Sequence, residues 1–193
     1  MEISLSKLGI DFFEWQVHQY LLVADYFSKF PVIRAMTNTS AASTVAVLKT
    51  IFAEYGIPCS VFTDQGLQFT SQEFKTFADT YYFEITHSSP RYPQSNGFIE
   101  AMVKVVKGVM TRARDSNSDV ALAMLVYRST PIKFGVASPA ELLNQRNLRD
   151  LIPVRSRLGD KQESSREALL MMKQNTVEQY NQHAKQKEDL QHL

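Results

Sequence analysis

The amino-acid sequence predicts an α/β fold built on a mixed β-sheet, and three observations favour that prediction. Two short apolar runs, residues 8–15 and 19–24, are separated by only three residues and indicate a β-hairpin. A helical pattern lies between two later apolar runs, and a helix that connects two strands favours parallel pairing between them. With 193 residues, 44% of them hydrophobic, the chain can bury one full core and a small appendage.

The elements up to residue 86 follow from apolar periodicity and from the residues that interrupt it. A turn at residues 25–30 precedes a third predicted strand. Thr39 and Ser40 are suitable N-cap residues for the first helix, and Gly56 ends that helix after Tyr55. The third strand is predicted at 31–36. The elements predicted after the first helix are a strand at 60–63, an amphipathic helix at 71–80 with Phe74 and Phe77 facing inward, and a last strand at 83–86.

The second half is predicted to be helical. Residues 87–94 form a loop by their proline and serine content, and from Ser95 an apolar stripe continues at helical spacing to Ala113. Further helices are predicted at 119–127 and, with Ser138 as N-cap before a proline, at 138–143. The polar composition beyond this point divides the chain into a core at 1–153 and a polar linker with an exposed helical tail at 154–193.

Bulk composition excludes several classes of protein. The net charge is +1, so any surface that binds nucleic acid must be local. The single cysteine, Cys59, excludes an intramolecular disulfide framework, and with four histidines it leaves no Cys/His zinc module. Residues 1–10 lack the pattern of a signal peptide, and no apolar run is long enough to span a membrane. An intracellular protein with no membrane partner is expected.

Three acids form the strongest candidate site. Asp64 follows an apolar run and precedes Gln65 and a glycine. This position is the C-terminal end of a predicted parallel strand, where α/β proteins bind ligands. Taken alone, an aspartate that caps a turn is an equally good explanation. Asp11 lies inside an apolar strand, where a carboxylate is costly unless it is paired, binds metal or faces water at an edge. Glu100 lies near the start of the long helix. Asp25 competes with Asp11 for the first position, but a turn explains it.

Basic residues continue from Glu100 along one face of the long helix. At about 100° per residue, Lys104 and Lys107 return to within about 40° of Glu100, and Arg114 continues the line. A cationic stripe headed by an acid fits a helix that carries a metal ligand and follows a phosphate backbone. On the helix alone, an ordinary surface pair between Glu100 and Lys104 is the better explanation.

Four ordered blocks of this sequence are similar to the retroviral-type integrase core, and the last of them resembles Gypsy-type LTR retrotransposon integrases. The spacing between Asp64 and Glu100, with 35 residues between them, is part of the resemblance. The blocks are GIDFFE at 9–14 with YLLVADYFSK at 20–29, TDQGLQFTS at 63–71, SSPRYPQSNG at 88–97 before Glu100, and YRSTP at 127–131 with SPAELL at 138–143.

The resemblance implies a ribonuclease-H-like fold, a five-stranded mixed sheet flanked by helices, here with a C-terminal helical extension. It implies a metal-dependent polynucleotidyl transferase and endonuclease that trims retroelement DNA 3′ ends and joins them to target DNA. Asp11, Asp64 and Glu100 would be the catalytic residues and would hold two Mg²⁺ ions, with Mn²⁺ as a substitute. The DNA-binding residues would be Arg91, Tyr92 and Asn96 in the loop and Lys104 and Lys107 on the helix.

The partners implied are DNA, as retroelement ends and as target, and further copies of the same chain; no small-molecule substrate is expected. Location in the nucleus, where chromosomal DNA lies, is also expected. Two positions depart from the family pattern: Gln65 replaces the usual asparagine, and Ala101 replaces a basic residue. The family's N-terminal zinc-binding module and C-terminal DNA-binding domain have no counterpart here. The alternative hypothesis is therefore an integrase-derived remnant that binds DNA or a partner without catalysis.

Overall fold

This computed structural model describes residues 6–87 and 97–151. The central strand of the fold is β1 (Lys7–Trp15), which forms a hairpin with β2 (His18–Asp25). Strand β3 (Pro31–Met36) pairs antiparallel with β2. On the other side of β1, strand β4 (Ser60–Thr63) runs parallel to it, and β5 (Glu84–His87) runs parallel to β4. The strand order β3-β2-β1-β4-β5 confirms the predicted five-stranded mixed sheet.

The described helices begin and end close to the predicted positions. Ser40, Ser71 and Ser138 each cap a helix through the side-chain oxygen, as Ser40 and Ser138 were expected to do. The helices are α1 (Ala41–Tyr55), α2 (Leu67–Thr70), α3 (Gln72–Tyr81), α4 (Gly97–Asp115), α5 (Val120–Ser129) and α6 (Pro139–Asn144). Only α2 has no counterpart in the sequence prediction, because its four residues bury a single side chain, Phe69, and show no helical period.

Helices cover both faces of the sheet, and each face has its own core. Alternating side chains of β1 divide between them, as the two-residue period of a strand requires. The first core includes Leu8, Ile10, Leu48, Phe52, Phe69, Phe74 and Phe77. The second core includes Phe13, Leu22, Ile99, Met102, Val106, Met110 and Met124. Helix α4 therefore packs on the face of β1 to which Phe13 points, and that face also carries Asp11.

Three sequence predictions lie wholly or mostly outside the described residues: the unit at 154–193, the loop at 87–94 and the start of the long helix at Ser95. Within the described part, His87 is the last residue of β5 and α4 begins at Gly97. Among the described helices, none is both long enough and apolar enough to cross a membrane.

Candidate active site between β1, β4 and α4

Asp11 and Asp64 are brought together by the parallel pairing of β1 with β4. The register aligns Lys7 with Ser60 and Gly9 with Phe62. Continued by two residues, the same register places Asp64, directly after β4, beside Asp11 in the middle of β1. Aligned residues of neighbouring strands point to the same face of a sheet. Two of the three acids thus share one face at adjacent strand positions.

Glu100 approaches the same face because α4 lies very close to β1 at Gly9. A Cβ atom at Gly9 would lie 3.3 Å from the Cβ of Ile99 and 3.2 Å from the Tyr26 ring, so only glycine allows this approach without displacement. Ile99 is fully buried and Glu100, the next residue, is exposed. Close contact between Gly9 and Ile99 therefore fixes the start of α4 two residues before Asp11 along the strand.

Electrostatics show that Asp11 is influenced by the other two acids. The pKa of Asp11 is raised from its ordinary 3.8 to about 6, chiefly by partial burial and also by the charges of Asp64 and Glu100, against two opposing effects. The opposing effects are the backbone N–H of Phe12, which donates to Asp11 Oδ1 at 2.8 Å, and the ammonium of Lys107. A carboxyl with a pKa near 6 beside two further acids is typical of a site that binds cations.

An aromatic layer lies next to Asp11 on the same face. The ring of Tyr26 lies 4.2 Å from that of Phe98, tilted by 39°, and 6.2 Å from that of Phe62 in an edge-on arrangement. Burial in this layer raises the pKa of Tyr26 to about 12. Lys7 Nζ lies 4.5 Å from the centre of the Tyr26 ring, on the outer side of the layer. Tyr26 thus packs against β1 at Gly9, two residues before Asp11 along the strand.

Asp64 is held at both its carboxylate and its backbone carbonyl. Its Oδ1 accepts the Gly66 N–H at 2.9 Å, which is the turn that a capping aspartate forms. Its carbonyl oxygen accepts the Thr63 hydroxyl at 2.9 Å and lies 3.1 Å from His87 Nδ1. The two interpretations of Asp64, turn cap and site residue, are thus compatible. The sequence analysis did not predict the contact between Asp64 and His87. The signal that could have found it is the pairing of β5 with β4.

The acids provide a donor set that suits Mg²⁺, but their side chains do not converge on one point. Among the described residues, no three side chains of histidine, cysteine, aspartate or glutamate lie close enough to hold a metal ion together. Carboxylate oxygens are the ligands that Mg²⁺ prefers, and the charges of Asp64 and Glu100 both act on Asp11 here. The residues fit such an ion by their chemistry, and joint binding of one ion requires the carboxylates to move closer together.

Helix α4 places its basic residues unequally. Lys104 is exposed, and Lys107 is half-buried with its Nζ 5.8 Å from the Phe13 ring. Thr111, one turn further on, accepts the Trp15 indole N–H at 3.1 Å. Arg114 forms an ion pair at 2.6 Å with its neighbour Asp115, so its charge is partly neutralised within the helix. The cationic part of the face is thus concentrated at the two lysines nearest Glu100.

The remaining predicted residues do not add to this geometry. Arg91, Tyr92 and Asn96 lie outside the described residues, so their DNA-binding role stays a prediction. Asp25 is almost fully buried, and its Oδ2 accepts both the backbone N–H and the hydroxyl of Ser28 at 2.7 Å. The expected turn role of Asp25 is confirmed. In the register of the hairpin it pairs with Leu8, three residues before Asp11.

Comparisons with known proteins are consistent with this geometry. Residues 4–93 match the family model described as the integrase core domain. The Pol polyprotein of feline endogenous virus ECE1 is 33% identical over 147 residues, which are 69% of this chain and 14% of the relative. An uncharacterized protein of Caenorhabditis elegans is 29% identical over 77% of this chain and 12% of its own length. The chain thus spans about an eighth of each of these two relatives.

Solved structures share the fold at low sequence identity. The catalytic core domain of BIV integrase is 16% identical, with a TM-score of 0.64, and the match covers 73% of this chain and 95% of that one. A simian T-cell lymphotropic virus intasome, solved with a PP2A regulatory subunit, is also 16% identical, with a TM-score of 0.66, over 82% of this chain and 61% of that one. These matches confirm the ribonuclease-H-like architecture predicted from the sequence.

Proposed function

We propose, from the premise that this chain carries an integrase core domain of the retroviral and retrotransposon type, that it cleaves and joins DNA strands by phosphoryl transfer at Asp11, Asp64 and Glu100. The observation that supports this proposal best is the parallel register of β1 with β4, which places Asp64 beside Asp11 when it is continued two residues beyond Gly9 and Phe62, together with the effect of both other acids on the pKa of Asp11. Two of the similar proteins are, by their names, the Gag-Pol polyprotein of walleye dermal sarcoma virus and the Pol polyprotein of feline endogenous virus ECE1.

In this proposal the three acids would hold two divalent ions, Mg²⁺ or Mn²⁺, which supply a deprotonated attacking oxygen and offset the charge on the leaving oxygen. The attacking oxygen belongs to water when a 3′ end is trimmed, and to that 3′-OH when the end is joined. In each case one P–O bond forms and the opposite P–O bond breaks, so no covalent enzyme intermediate is required. Asp11 would be the central ligand of the three, since the charges of both other acids act on it.

The chain's own residues would orient the DNA relative to the acids. Lys104 and Lys107 lie one and two turns after Glu100, so a phosphate backbone that contacts them leads towards Asp11. Lys107 also lowers the pKa of Asp11, which favours the ionised carboxylate. DNA ends, target DNA and further copies of this chain are the proposed partners, and the nucleus is the proposed location.

Asp64→Asn tests the proposed function. The change keeps the size of the side chain and an acceptor for Gly66 N–H but removes the charge, so strand joining should fall to the background of protein-free reactions. The measurement is a reverse-joining assay on branched DNA, which needs little end specificity, with Mg²⁺ or Mn²⁺. Asp79→Asn, an exposed position on α3, is the matched control and should retain activity. Equal products from the wild type and Asp64→Asn would contradict the proposal.

Lys104→Ala and Lys107→Ala test the DNA path on α4. Each should weaken binding to DNA of any sequence and reduce the slope of log affinity against log salt by about 1, because each removes one phosphate contact. Binding is measured by fluorescence anisotropy at several salt concentrations. Lys75→Ala, at an exposed position of α3 on the opposite face of the sheet, is the control. If all three variants keep the wild-type salt slope, the DNA does not follow this face of α4.

The alternative function is a DNA-binding remnant without catalysis. The observation in its favour is that the three carboxylates do not surround a common point among the described residues. A remnant would show the salt-dependent binding through Lys104 and Lys107 but no joining with either metal. The two proposals therefore differ in the joining assay and agree in the binding assay.

A further inference from the structure

A three-residue contact links the end of β5 to the backbone of Asp64. His87, the last residue of β5, pairs with Thr63, the last residue of β4. The His87 Nδ1 atom lies 3.0 Å from Thr63 Oγ1 and 3.1 Å from the carbonyl oxygen of Asp64, which also accepts the Thr63 hydroxyl. Thr63 is fully buried and His87 is half-buried, so the contact is partly shielded from water.

The chemistry of these atoms determines the tautomer that the contact requires. A carbonyl oxygen only accepts hydrogen bonds, and its two lone pairs can accept both the Thr63 hydroxyl and an imidazole N–H. The bond between His87 and Asp64 therefore exists only when the ring carries a proton on Nδ1. With the Gly66 N–H on Oδ1, Asp64 is then held by three donors that come from β4, β5 and the following turn.

We propose that His87 is a positioning residue: through its Nδ1–H it holds the Asp64 backbone so that the Asp64 carboxylate can join Asp11 in binding a divalent cation. This inference rests on the proposed function. Strand β4 has only four residues and Asp64 lies just beyond its end, so the strand ladder alone does not fix the direction of Asp64. The His87 contact supplies that restraint from the neighbouring strand. In ligand spheres of metals, such supporting contacts commonly change affinity by about 10- to 100-fold.

Three substitutions separate the hydrogen bond from the bulk of the ring. His87→Asn places an amide N–H where Nδ1 lies, His87→Gln places it about one bond farther from the backbone, and His87→Phe keeps a ring without a donor. The affinity of each 193-residue variant for Mn²⁺ is measured by electron paramagnetic resonance. We expect His87→Asn to stay within about threefold of the wild type, and the other two to bind on the order of tenfold more weakly.

The outcomes distinguish this inference from the proposed function. Wild-type protein that binds Mn²⁺ no better than Asp64→Asn would overturn both. If the wild type binds Mn²⁺ better than Asp64→Asn does, but the three His87 variants share one Mn²⁺ affinity, only the positioning role is overturned. A purely structural role predicts lower melting temperatures in EDTA with unchanged Mn²⁺ affinity, and that result would also overturn it.

A double substitution and a spectrum complete the test. In the Asp64→Asn background, His87→Phe should cause no further loss of Mn²⁺ affinity, because both changes act on the same ligand. Long-range ¹H–¹⁵N spectra of the imidazole rings should show His87 with its proton on Nδ1, with the resonance assigned by its loss in His87→Asn. A ring protonated only on Nε2 would overturn the inference whatever the metal affinities are.

Discussion

Asp11→Asn is expected to abolish DNA joining and, at pH 7.5 without divalent metal, to raise the melting temperature of the protein by about 2–4 °C. The structure places Asp11 partly buried beside two other acids, so its ionised form is costly in the folded state. Asparagine has nearly the same shape, and its Oδ1 can still accept the Phe12 N–H. The substitution removes the charge while it keeps the local hydrogen bond.

The dependence of this effect on pH follows from the raised pKa. The folded-state pKa of Asp11 is about 6 and its ordinary value is 3.8. Below pH 3.8 the carboxyl is neutral in both states and the folded protein carries no penalty; the penalty develops as pH rises and is complete above about 6. Full burial would make it about 3 kcal/mol, and solvent screening of a partly exposed group reduces it to about 1 kcal/mol.

Melting curves of the wild type and Asp11→Asn at several pH values between 4 and 8 measure the difference. The gain in stability should shrink steadily below pH 6 and vanish near pH 4, while Asp79→Asn should show no such dependence. Added Mg²⁺ should stabilise the wild type more than Asp11→Asn, because a bound cation offsets the repulsion between the acids. A variant that is less stable than the wild type at pH 7.5 would contradict the proposed electrostatics.

Gly9→Val is expected to destabilise the protein by about 2–3 kcal/mol and to impair DNA joining at permissive temperature. Even a single Cβ at this position would lie 3.2 Å from the Tyr26 ring and 3.3 Å from two atoms of Ile99, which is fully buried. Valine adds two further methyl groups against α4. Relief requires α4 to move away from β1, and that movement carries Glu100 away from Asp11.

Gly108→Ala is the control for Gly9→Val, since it adds a methyl group to a glycine of α4, the helix that packs against Gly9. Its Cβ would meet only the end of the Arg112 side chain, at 3.4 Å, and alanine favours a helix over glycine by about 1 kcal/mol. This variant should be slightly more stable than the wild type and fully active. Chemical denaturation measures both free energies of unfolding. A Gly9→Val protein as stable as the wild type would mean that α4 does not need its close contact with β1.

Much of the fold was predictable because its elements are strongly periodic. The strands near 8–15, 31–36 and 60–63 were located to within one residue, since alternation and flanking turn residues mark them. Asp25 was assigned correctly to a turn, because the serine three residues later provides its donors. Helix α2 was missed, because four residues are too few for a helical period to show.

The sequence suggested which acids could form a site, and their assignment as site residues stays a prediction. The order of strands and helices made β1 and β4 parallel neighbours, and their register, continued two residues beyond Gly9 and Phe62, places Asp64 beside Asp11. The turn contact of Gly66 with Asp64 was among the sequence-based alternatives, whereas the separation of the three carboxylates depends on side-chain orientations that no spacing in the sequence encodes. The role of His87 depends on the pairing of β5 with β4, a long-range feature. His87 is one histidine at the end of a short strand, so no sequence pattern marks its role.

Asp11 lies where the antiparallel half of the sheet meets its parallel half, on a strand that has a neighbour on each side. Such a strand opens mainly when the whole domain unfolds, whereas the end of a four-residue strand opens more readily. Glu100 is exposed but follows Ile99, which anchors the first turn of α4 on β1. Cation capture would therefore leave the backbone of Asp11 in place, and the backbone entropy lost on binding would fall mainly on Asp64.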